Sequence, residues 1–474
     1  MGTLPDDILL KIFKFTIGEK IDFHYPPSEQ WHTLVHVCRR WRNLTFTSPR
    51  HLNLVLHFRC PDRSVREMLD IWPELPIFVH DLDHSSKEAR DDLVAVLGLN
   101  HRVSGIRLNY VSDLAWETFA PLMQHSFPAL IYLWIQQYFP ERVISRSFLG
   151  GSAPSLQDLA LIGIPFPPLP ELLLPSTNLI RLRYDSIPRS GYISPQAMVT
   201  GLSALTRLES LSLTFRSPGD LPDRAIRIPP SHTRTLLPAL TYLCFQGTPE
   251  YVEDLVAQID APSLESVKIV LFDQEVLEVP ELAKFIRRAD KLSSPQQGEV
   301  NFESDFISVR LSPKLLLAKF DPKTLMLNLA CDESVLRLSC VTQFCASCLP
   351  TPSPFESLHI DVSIFHTWQD VIDDLGPQWL DLLRLFNTVK NLRLAKAVGL
   401  HVALALRGLL VGQVTEVLPA LENVFISGLE PSGPVQEAIS EFADARQLSG
   451  HPVSVHGWKR FTWEHKDLDR GVDG

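Results

Sequence analysis

A short apolar pattern recurs through most of the chain and predicts a series of short β-strands. Each copy contains a proline or turn residue, a leucine, two further residues, a leucine or valine, one residue and a last apolar residue. Because the last two apolar positions alternate with exposed ones, they would lie on one face of a strand. The copies occupy residues 127–135, 153–162, 177–184, 205–215, 237–245, 261–271, 354–362, 388–396 and 418–426, with weaker copies at 101–110 and 305–312.

Segments with helical spacing separate these strands. Ser194-Pro195 and Thr248-Pro249 are typical helix starts, because serine and threonine cap a first turn and proline is tolerated within it. Further helices are predicted at residues 280–292, 370–386 and 434–446.

The spacing of the strands fits one strand and one helix per unit. The first seven strand centres lie 23 to 32 residues apart, at positions 106, 133, 159, 182, 211, 243 and 267. A strand followed by a helix, repeated, predicts parallel strands joined by right-handed crossovers. This arrangement resembles a leucine-rich-repeat solenoid of the long, irregular kind, whose units bury their apolar faces by stacking. The expected fold class is therefore α/β, with parallel strands on a concave face and helices on a convex face.

Some features depart from a regular repeat. The asparagine or cysteine of the repeat consensus is mostly absent, and an ordinary α/β domain with leucine-rich strands is the alternative. Residues 216–236 are rich in proline and charge and are interpreted as a surface insertion, and residues 292–300 as a polar loop. The number of repeats between residues 270 and 420 is left open.

The N-terminal segment follows a different pattern. Leu4, Ile8 and Ile12 are spaced four apart, which predicts an amphipathic helix over residues 4–15. A second helix is predicted over residues 29–44, and the first strand over residues 51–58. The apolar stripe of the second helix comprises Trp31, Leu34, Val35, Cys38 and Trp41, with Arg39, Arg40 and Arg42 at its edge.

Residues 4–52 resemble an F-box. The motifs that carry the resemblance are Leu4-Pro5, Ile8-Leu9, Ile12-Phe13 and, after a linker, Val37-Cys38-Arg39-Arg40-Trp41. An F-box followed by a leucine-rich body is similar to large families of fungal F-box proteins. The linker between the two helices is longer than the family usually has, and a helical cap on the repeat domain is the alternative.

The resemblance implies an interaction module. F-box domains pack against the C-terminal helices of a Skp-family adaptor, which connects them to a cullin and a RING subunit in a ubiquitin ligase. A helical piece this small cannot bury its whole apolar face alone, so a covering partner is physically reasonable. Carried over by matching position, the adaptor-facing residues would be Leu4, Pro5, Ile8, Leu9, Ile12, Val37, Cys38 and Trp41.

The outer side of the repeat strands is the expected surface for a protein substrate. In each strand the residues between the buried positions would point to the open concave face, and tyrosine, tryptophan and arginine are frequent in binding hot spots. The candidates are Tyr132, Trp134, Arg181, Arg183, Tyr242, Lys268, His359, Arg393 and Phe425.

Composition and charge argue against several other classes. The 474-residue chain has a net charge of −11, which disfavours a broad nucleic-acid-binding surface. The longest apolar stretch, 398–412, is interrupted by His401 and Arg407 and is too short to span a bilayer. The seven cysteines, together with an acidic N-terminus that does not fit a secretory signal, predict reduced thiols in the cytoplasm or nucleus.

The sequence contains no recognised motif for catalysis or cofactor binding. Phosphate-binding glycine loops, the H-E-x-x-H zinc motif and the G-x-S-x-G nucleophile motif are all absent. Cys331, Cys340, Cys345 and Cys348 could together hold zinc, but residues 335–344 are interpreted as a buried strand in which cysteine is a small apolar residue. No metal, cofactor or catalytic residue is therefore predicted.

These features predict an F-box domain at residues 1–52, a leucine-rich-repeat-like domain at 53–456 and a C-terminal tail at 457–474. The leading hypothesis is a substrate-recognition subunit of a Skp–cullin–F-box ubiquitin ligase, which holds an unknown protein substrate and binds neither nucleic acid nor membrane. The alternatives are an adaptor-binding scaffold with no degradative role and an unrecognised α/β enzyme.

Overall fold

Contacts in the computed structural model divide the chain into two compact units, Met1–Ser263 and Leu264–Gly474. The structure describes residues 4–17, 31–48, 52, 55–58, 69, 75–80, 87–111, 113–137, 142–221, 234–272, 278–292, 295–303, 306–312, 324–330, 334–348, 355–362, 376–409 and 413–458.

Among the described residues, the first unit opens with three short helices: α1 (Asp6–Ile17), α2 (Trp31–Val37) and α3 (Arg39–Thr47). The prediction of one continuous second helix was wrong, because Cys38 is extended, with φ −161° and ψ 169°. Its Sγ accepts a hydrogen bond from the backbone amide of Trp41 at 3.5 Å, so Cys38 ends α2 and caps α3. The linker between α1 and α2 lies outside the described residues.

Within the described residues, eight parallel strands form the main sheet of the first unit. The strands of this unit are β1 (Leu56–Phe58), β2 (Ile77–His80), β3 (Val103–Leu108), β4 (Tyr132–Gln136), β5 (Asp158–Ile162), β6 (Arg181–Ile187), β7 (Ser210–Phe215), β8 (Thr235–Leu236), β9 (Tyr242–Gly247) and β10 (Ile259–Asp260). The order in the main sheet is β1-β2-β3-β4-β5-β6-β7-β9, and β8 pairs separately with β10. Every neighbouring pair from β1 to β9 is parallel, which confirms the predicted α/β class and strand direction.

The predicted strand centres of this unit form one buried row. They are direct register partners across six consecutive strands, and each is at most 1% exposed. The row consists of Ile106, Leu133, Leu159, Leu182, Leu211 and Leu243. The period-2 pattern therefore identified both the strands and the residues that lie side by side in the core.

A leucine in the turn before each of β4, β5, β6, β7 and β9 closes the core. Each of these leucines is fully buried, and its backbone amide donates to the carbonyl oxygen three residues earlier at 3.0 to 3.2 Å. They are Leu130, Leu156, Leu179, Leu208 and Leu240. The hydrogen bond within the turn satisfies the buried amide of the leucine, and the leucine side chain fills the space beneath the strand. These two roles explain why this leucine recurs in the sequence pattern.

Helices connect the strands of the first unit. They are α4 (Lys87–Leu97), α5 (Asp113–Leu122), α6 (Leu169–Leu173), α7 (Pro195–Leu202) and α8 (Pro249–Ala257), with 3-10 turns at Phe148–Gly151, Arg189–Gly191 and Pro218–Asp220. Both predicted helix starts are observed. Ser194 Oγ accepts a hydrogen bond from the Ala197 amide at 3.3 Å, whereas Thr248 precedes Pro249 without a side-chain cap bond.

The described part of the second unit has a mixed sheet of eight strands. They are β11 (Ser266–Leu271), β12 (Gln297–Phe302), β13 (Phe306–Ser312), β14 (Leu325–Ala330), β15 (Ser357–Val362), β16 (Asn391–Leu394), β17 (Asn423–Ser427) and β18 (Ser454–Trp458). Their order is β11-β14-β13-β12-β15-β16-β17-β18. The strand β13 runs antiparallel to both of its neighbours, and the other pairs are parallel.

Two predictions for this sheet were wrong. Residues 305–312 match the repeat pattern, but 306–312 form the antiparallel strand β13, because alternation of apolar positions identifies a strand without giving its direction. Residues 292–300 were interpreted as a polar loop, yet β12 begins at Gln297 and buries Val300 and Phe302. In β12, polar residues alternate with buried ones, so this strand has the composition of a polar loop although it is half-buried.

The helices of the second unit are α9 (Pro280–Arg288), α10 (Ser334–Cys348), α11 (Gly376–Arg384), α12 (Lys396–Arg407) and α13 (Pro434–Leu448), with a 3-10 turn at Asp290–Leu292. The start of the helix predicted at 370–386 lies outside the described residues. Among the helices of the described segments, none is long and apolar enough to cross a membrane.

The interpretation of residues 335–344 as a strand was wrong, because they lie within α10. Leu338, Val341, Cys345 and Cys348 are buried and are spaced three or four apart, which is the period of a helix. Burial raises the pKa of the Cys345 thiol to about 12, so this thiol is neutral at physiological pH. Cys331, the fourth residue of the possible zinc set, lies outside the described residues.

Candidate functional site

One face of α1 exposes a continuous row of large apolar side chains. Leu4, Ile8 and Ile12 are 46%, 36% and 43% exposed, and Phe15 is 87% exposed. Spacings of four and three residues place Ile8, Ile12 and Phe15 on the same side of α1, and Leu4 is exposed just before the helix begins at Asp6. We call this row the α1 stripe. Exposed apolar surface of this kind marks an interaction site more often than a free surface.

The corner between α2 and α3 adds to the exposed apolar surface of the helical module. Val37 is 55% exposed, and the Cys38 side chain is exposed as well. Pro5, at the start of the module, is also exposed. Six predicted adaptor-facing residues are therefore exposed on the surface of the module: Leu4, Pro5, Ile8, Ile12, Val37 and Cys38.

Another face of α1 packs in the core of the module. Leu9 is 4% exposed and Phe13 is fully buried, so the expectation that Leu9 faces the adaptor is wrong in this structure. Positions 9 and 13 lie on an adjacent face of the helix, because each is rotated by about 100° from the preceding stripe position, 8 or 12. Trp41 is half-buried, and its ring lies 4.7 Å from that of Phe13.

Arg40 ties α3 to the start of α1. Its Nε and Nη2 donate to Asp6 Oδ1 at 3.1 and 2.7 Å, and Nη2 also donates to the Leu4 carbonyl oxygen at 2.5 Å. The neighbouring Arg42 donates from Nε to the Val35 carbonyl oxygen at 2.9 Å. Sequence reasoning placed these arginines at the helix edge but missed their partners, which lie 34 to 36 residues away for Arg40.

A second surface is the face of the first-unit sheet opposite the buried leucine row. In the middle of this face, Trp134 on β4 lies between two guanidinium groups, Arg107 at 5.4 Å and Arg183 at 5.2 Å from the ring centre. Arg183 is two strands away and reaches the ring across Ala160, whose small side chain occupies the intervening register position. Cation–π contacts of this kind hold the arginines in fixed positions.

Aspartates anchor the two arginines of β6. Arg181 Nε donates to Asp158 Oδ2 at 2.6 Å, and Arg183 Nε donates to Asp185, which also accepts from Ser212 Oγ at 2.7 Å. Both carboxylates are buried, whereas the arginine side chains are nearly half exposed. The candidates Arg181 and Arg183 therefore lie on the expected face, but their charges are largely balanced by these partners.

Sequence reasoning missed Asp158 and Arg107 as members of this surface. Asp158 stands directly opposite Arg181 in the β5–β6 register, and Arg107 stands opposite Trp134 in the β3–β4 register. The usable signal was their position, since each precedes a buried strand position in a copy of the repeat.

Tyr132 does not lie on an open surface, which corrects the expectation from its strand position. It is fully buried, and its ring stacks on that of Phe78 at 5.6 Å and 28°. Val55 completes this cluster, and Trp134 packs against it. Gly105, between Phe78 and Tyr132 in the register, makes the stack possible, because an added Cβ would lie 2.2 Å from Phe78 Cδ2.

Replacing Gly105 with alanine is expected to destabilise the first unit by about 1 to 3 kcal/mol, because the new methyl group displaces the Phe78 ring from Tyr132. The measurement is the free energy of unfolding in urea. The matched control is Gly376→Ala, where nothing lies within 4 Å of the added Cβ. Equal stability for both variants would contradict the packing role of Gly105.

Tyr242, at the edge of the same face, is 36% exposed. Its partial burial raises the pKa of the phenol well above its ordinary value, and Cys244 and Asp185 raise it further, while Arg183 opposes them. The hydroxyl is therefore neutral at physiological pH and acts as a hydrogen-bonding group.

A third surface is the corresponding face of the second unit. One register row crosses its strands in the order Lys268, Met326, Arg310, Glu299, His359, Arg393, Phe425 and His456. Arg310 Nη1 pairs with Glu299 Oε2 at 3.0 Å. Arg393 lies 5.6 Å from the centre of the Phe425 ring, which stacks on His456 at 5.1 Å and 24°. The row thus brings together the predicted candidates Lys268, His359, Arg393 and Phe425.

A small cavity of about 90 Å³ lies between α5 and the segment at 143–148. Its lining is mostly apolar and includes Trp116, Phe119 and Phe148, with no titratable side chain. Among the described residues, no group of three or more His, Cys, Asp or Glu side chains is arranged to hold a metal ion.

Comparisons with known proteins support the N-terminal assignment. Residues 1–51 match the family model described as F-box-like, which confirms the F-box prediction for this segment. The crystal structure of the leucine-rich repeat-containing protein LegL7 from Legionella pneumophila is similar at 13% identity and a TM-score of 0.24, over 82% of this chain and 97% of that chain. No curated protein sequence matches the chain.

Proposed function

We propose that this chain is the substrate-recognition subunit of a Skp–cullin–F-box ubiquitin ligase. The observation that carries the proposal is the α1 stripe, which lies on the outside of an F-box-like domain and is apolar along its length. Burying four large apolar side chains against a partner would contribute several kcal/mol, at about 1.5 to 3 kcal/mol for each fully covered residue.

The arrangement of the helical module supports an adaptor-binding role. Its own core uses Leu9 and Phe13, and the Arg40–Asp6 contacts hold α3 against the start of α1. The stripe is therefore presented by a helix whose position is set before the adaptor binds. Such preorganisation reduces the entropic cost of association.

The sheet faces support a substrate-binding role for the remainder of the chain. They present ordered arginine, tryptophan and phenylalanine side chains in rows across several strands. Many contacts of this kind, each weak, can hold an extended protein surface. The ligase then acts by proximity, because a bound substrate has a high effective concentration of lysines near the conjugating enzyme. The chain supplies binding and positioning, and no covalent step is assigned to its residues.

The proposal is tested by capture of the full chain on an immobilised Skp adaptor. A Leu4→Ala/Pro5→Ala variant is expected to bind about tenfold more weakly, because it removes exposed apolar contacts at one end of the stripe. The matched control is Leu174→Ala, a leucine with the same 46% exposure outside the helical module. Equal capture of the wild-type chain and both variants would contradict an F-box interface.

The scaffold alternative differs from the proposal in one measurable quantity. In a degradative ligase, a protein bound to the sheet faces has a longer half-life in cells when residues 1–52 are deleted. An unchanged half-life, with adaptor capture retained by the full chain, would assign the chain to a scaffold role.

A further inference from the structure

The strand row of the second unit differs in its charge balance from the face of the first unit. In the first unit, Arg181 and Arg183 each pair with a buried aspartate. In the second unit, Arg310 pairs with Glu299, whereas Arg393 and Lys268 have no carboxylate partner among the described residues. A fixed cation without a protein partner is available to a charged ligand.

Arg393 is held in place by an aromatic stack. Its guanidinium group lies over Phe425, which is itself stacked on His456 in the next strand. The buried neighbours Leu392 and Val424 fix the strands beneath these side chains. Holding the guanidinium plane on a ring limits its rotamers, so less entropy is lost when it binds a carboxylate.

The two register neighbours of Arg393, His359 and Phe425, carry no carboxylate, and Glu299, which lies beyond His359, pairs with Arg310. His359 precedes Arg393 in the register, and His456 follows Phe425. The acidic side chain on the same strand as His359, Asp361, is 2% exposed and accepts the Val362 amide at 2.8 Å. Next to the row, Asn423 Nδ2 donates to Asn391 Oδ1 at 3.0 Å, which places two amide groups beside the arginine.

We propose that the strand row formed by His359, Arg393, Phe425 and His456, together with Asn391 and Asn423, binds an acidic, extended segment of a protein partner. This proposal deepens the proposed function, since it names the class of substrate segment that the recognition domain takes. Four strands at about 4.8 Å spacing span roughly 14 Å, which accommodates about four extended residues running across the strands.

The net charge of the chain favours a protein segment over a nucleic acid. At −11 the chain repels a long polyanion, whose many phosphates would extend beyond the row. Charges are screened within about 10 Å at 0.1 M salt, so a short acidic segment responds mainly to the local cations. Carboxylates would pair with the Arg393 fork, and the Asn391 and Asn423 amides would bond to the peptide backbone.

The test measures fluorescence anisotropy of a labelled octaglutamate peptide with the full chain at low salt. Octaglutamate is expected to bind more tightly than an octaglutamine peptide, and its affinity is expected to fall as salt rises. Arg393→Gln should weaken binding of octaglutamate about tenfold. The matched control is Lys396→Gln, which makes the same charge change at a helix residue whose exposed ion pair with Glu430 lies outside the row.

Three results would overturn the proposal. They are equal binding of the glutamate and glutamine peptides, equal losses for Arg393→Gln and Lys396→Gln, and tighter Arg393-dependent binding of a ten-residue oligothymidine than of octaglutamate. Both variants are checked for an unchanged unfolding temperature, and Arg393→Lys, which keeps the charge, should retain part of the binding. Because adaptor capture depends on residues of the helical module, its success or failure is independent of these outcomes.

Discussion

An Ile8→Asp/Ile12→Asp variant is expected to lose capture by the Skp adaptor while keeping the unfolding temperature of the wild-type chain. Both side chains are more than one third exposed in the free chain, so a carboxylate at either position stays in water. In the complex the same carboxylates would be buried against apolar adaptor surface without partners, which costs several kcal/mol. Binding should weaken at least 100-fold, or about 2.7 kcal/mol.

The control for this variant is Lys14→Asp. It changes the net charge by the same two units and lies on the same helix, but its side chain is outside the α1 stripe. Adaptor capture by this control should remain close to that of the wild-type chain. If the double aspartate variant bound the adaptor normally, the stripe would not be the docking surface.

Leu9→Asp on the same helix separates docking from folding. Leu9 is 4% exposed, so its replacement should lower the stability of the helical module itself. Trp41→Ala carries the same complication, because the Trp41 ring packs on Phe13. Loss of adaptor binding by these two variants is therefore accompanied by lower stability, which distinguishes them from the stripe variants.

An Arg446→Ala variant is expected to lose about 3 kcal/mol of stability in the second unit. Arg446 on α13 is fully buried and donates to the carbonyl oxygens of Val414, Pro419 and Leu421 at 3.2, 3.3 and 3.2 Å. Removing it leaves the buried carbonyl oxygens of Val414 and Leu421 and the partly buried one of Pro419 without this donor, and it opens a cavity. Burial of the charge lowers the pKa of the Arg446 guanidinium. Removing this buried charge in the variant offsets part of the loss of stability.

The measurement is the midpoint of thermal unfolding, together with hydrogen exchange of the segment at 413–421. The matched control is Arg407→Ala on α12, an exposed arginine 4.0 Å from Glu441, which should change stability by less than about 0.5 kcal/mol. Arg446→Met tests the origin of the effect. Wild-type stability in Arg446→Met would show that the three carbonyl groups do not need the guanidinium.

The buried position of Arg446 was visible in the sequence, but its partners were not. It lies four residues after Phe442 and seven after Ile439, both buried, so the helical period places it on the core side of α13. The carbonyl oxygens that it binds are 25 to 32 residues away in the chain. Local periodicity cannot select partners at that separation.

For the candidate surfaces too, some features were predictable from the sequence and others were not. The α1 stripe was predictable, because Leu4, Ile8 and Ile12 repeat at the helical period within a recognisable motif. The burial of Tyr132 was not, because it requires Phe78 to cross the gap left by Gly105 on the intervening strand. The Arg181–Asp158 and Arg183–Asp185 contacts were not predictable either, because they depend on strand register and on the orientations of the side chains.

By itself, the sequence determined the two kinds of element in this protein and the buried side of most of them. The period of apolar residues identified the row from Ile106 to Leu243 and the stripe on α1, because burial of a regular element repeats with its backbone geometry. Only the tertiary structure decided the antiparallel direction of β13, the break at Cys38 and the pairing of buried charges. Each of these depends on hydrogen bonds and contacts between groups whose relative positions are set by the packed chain rather than by local spacing.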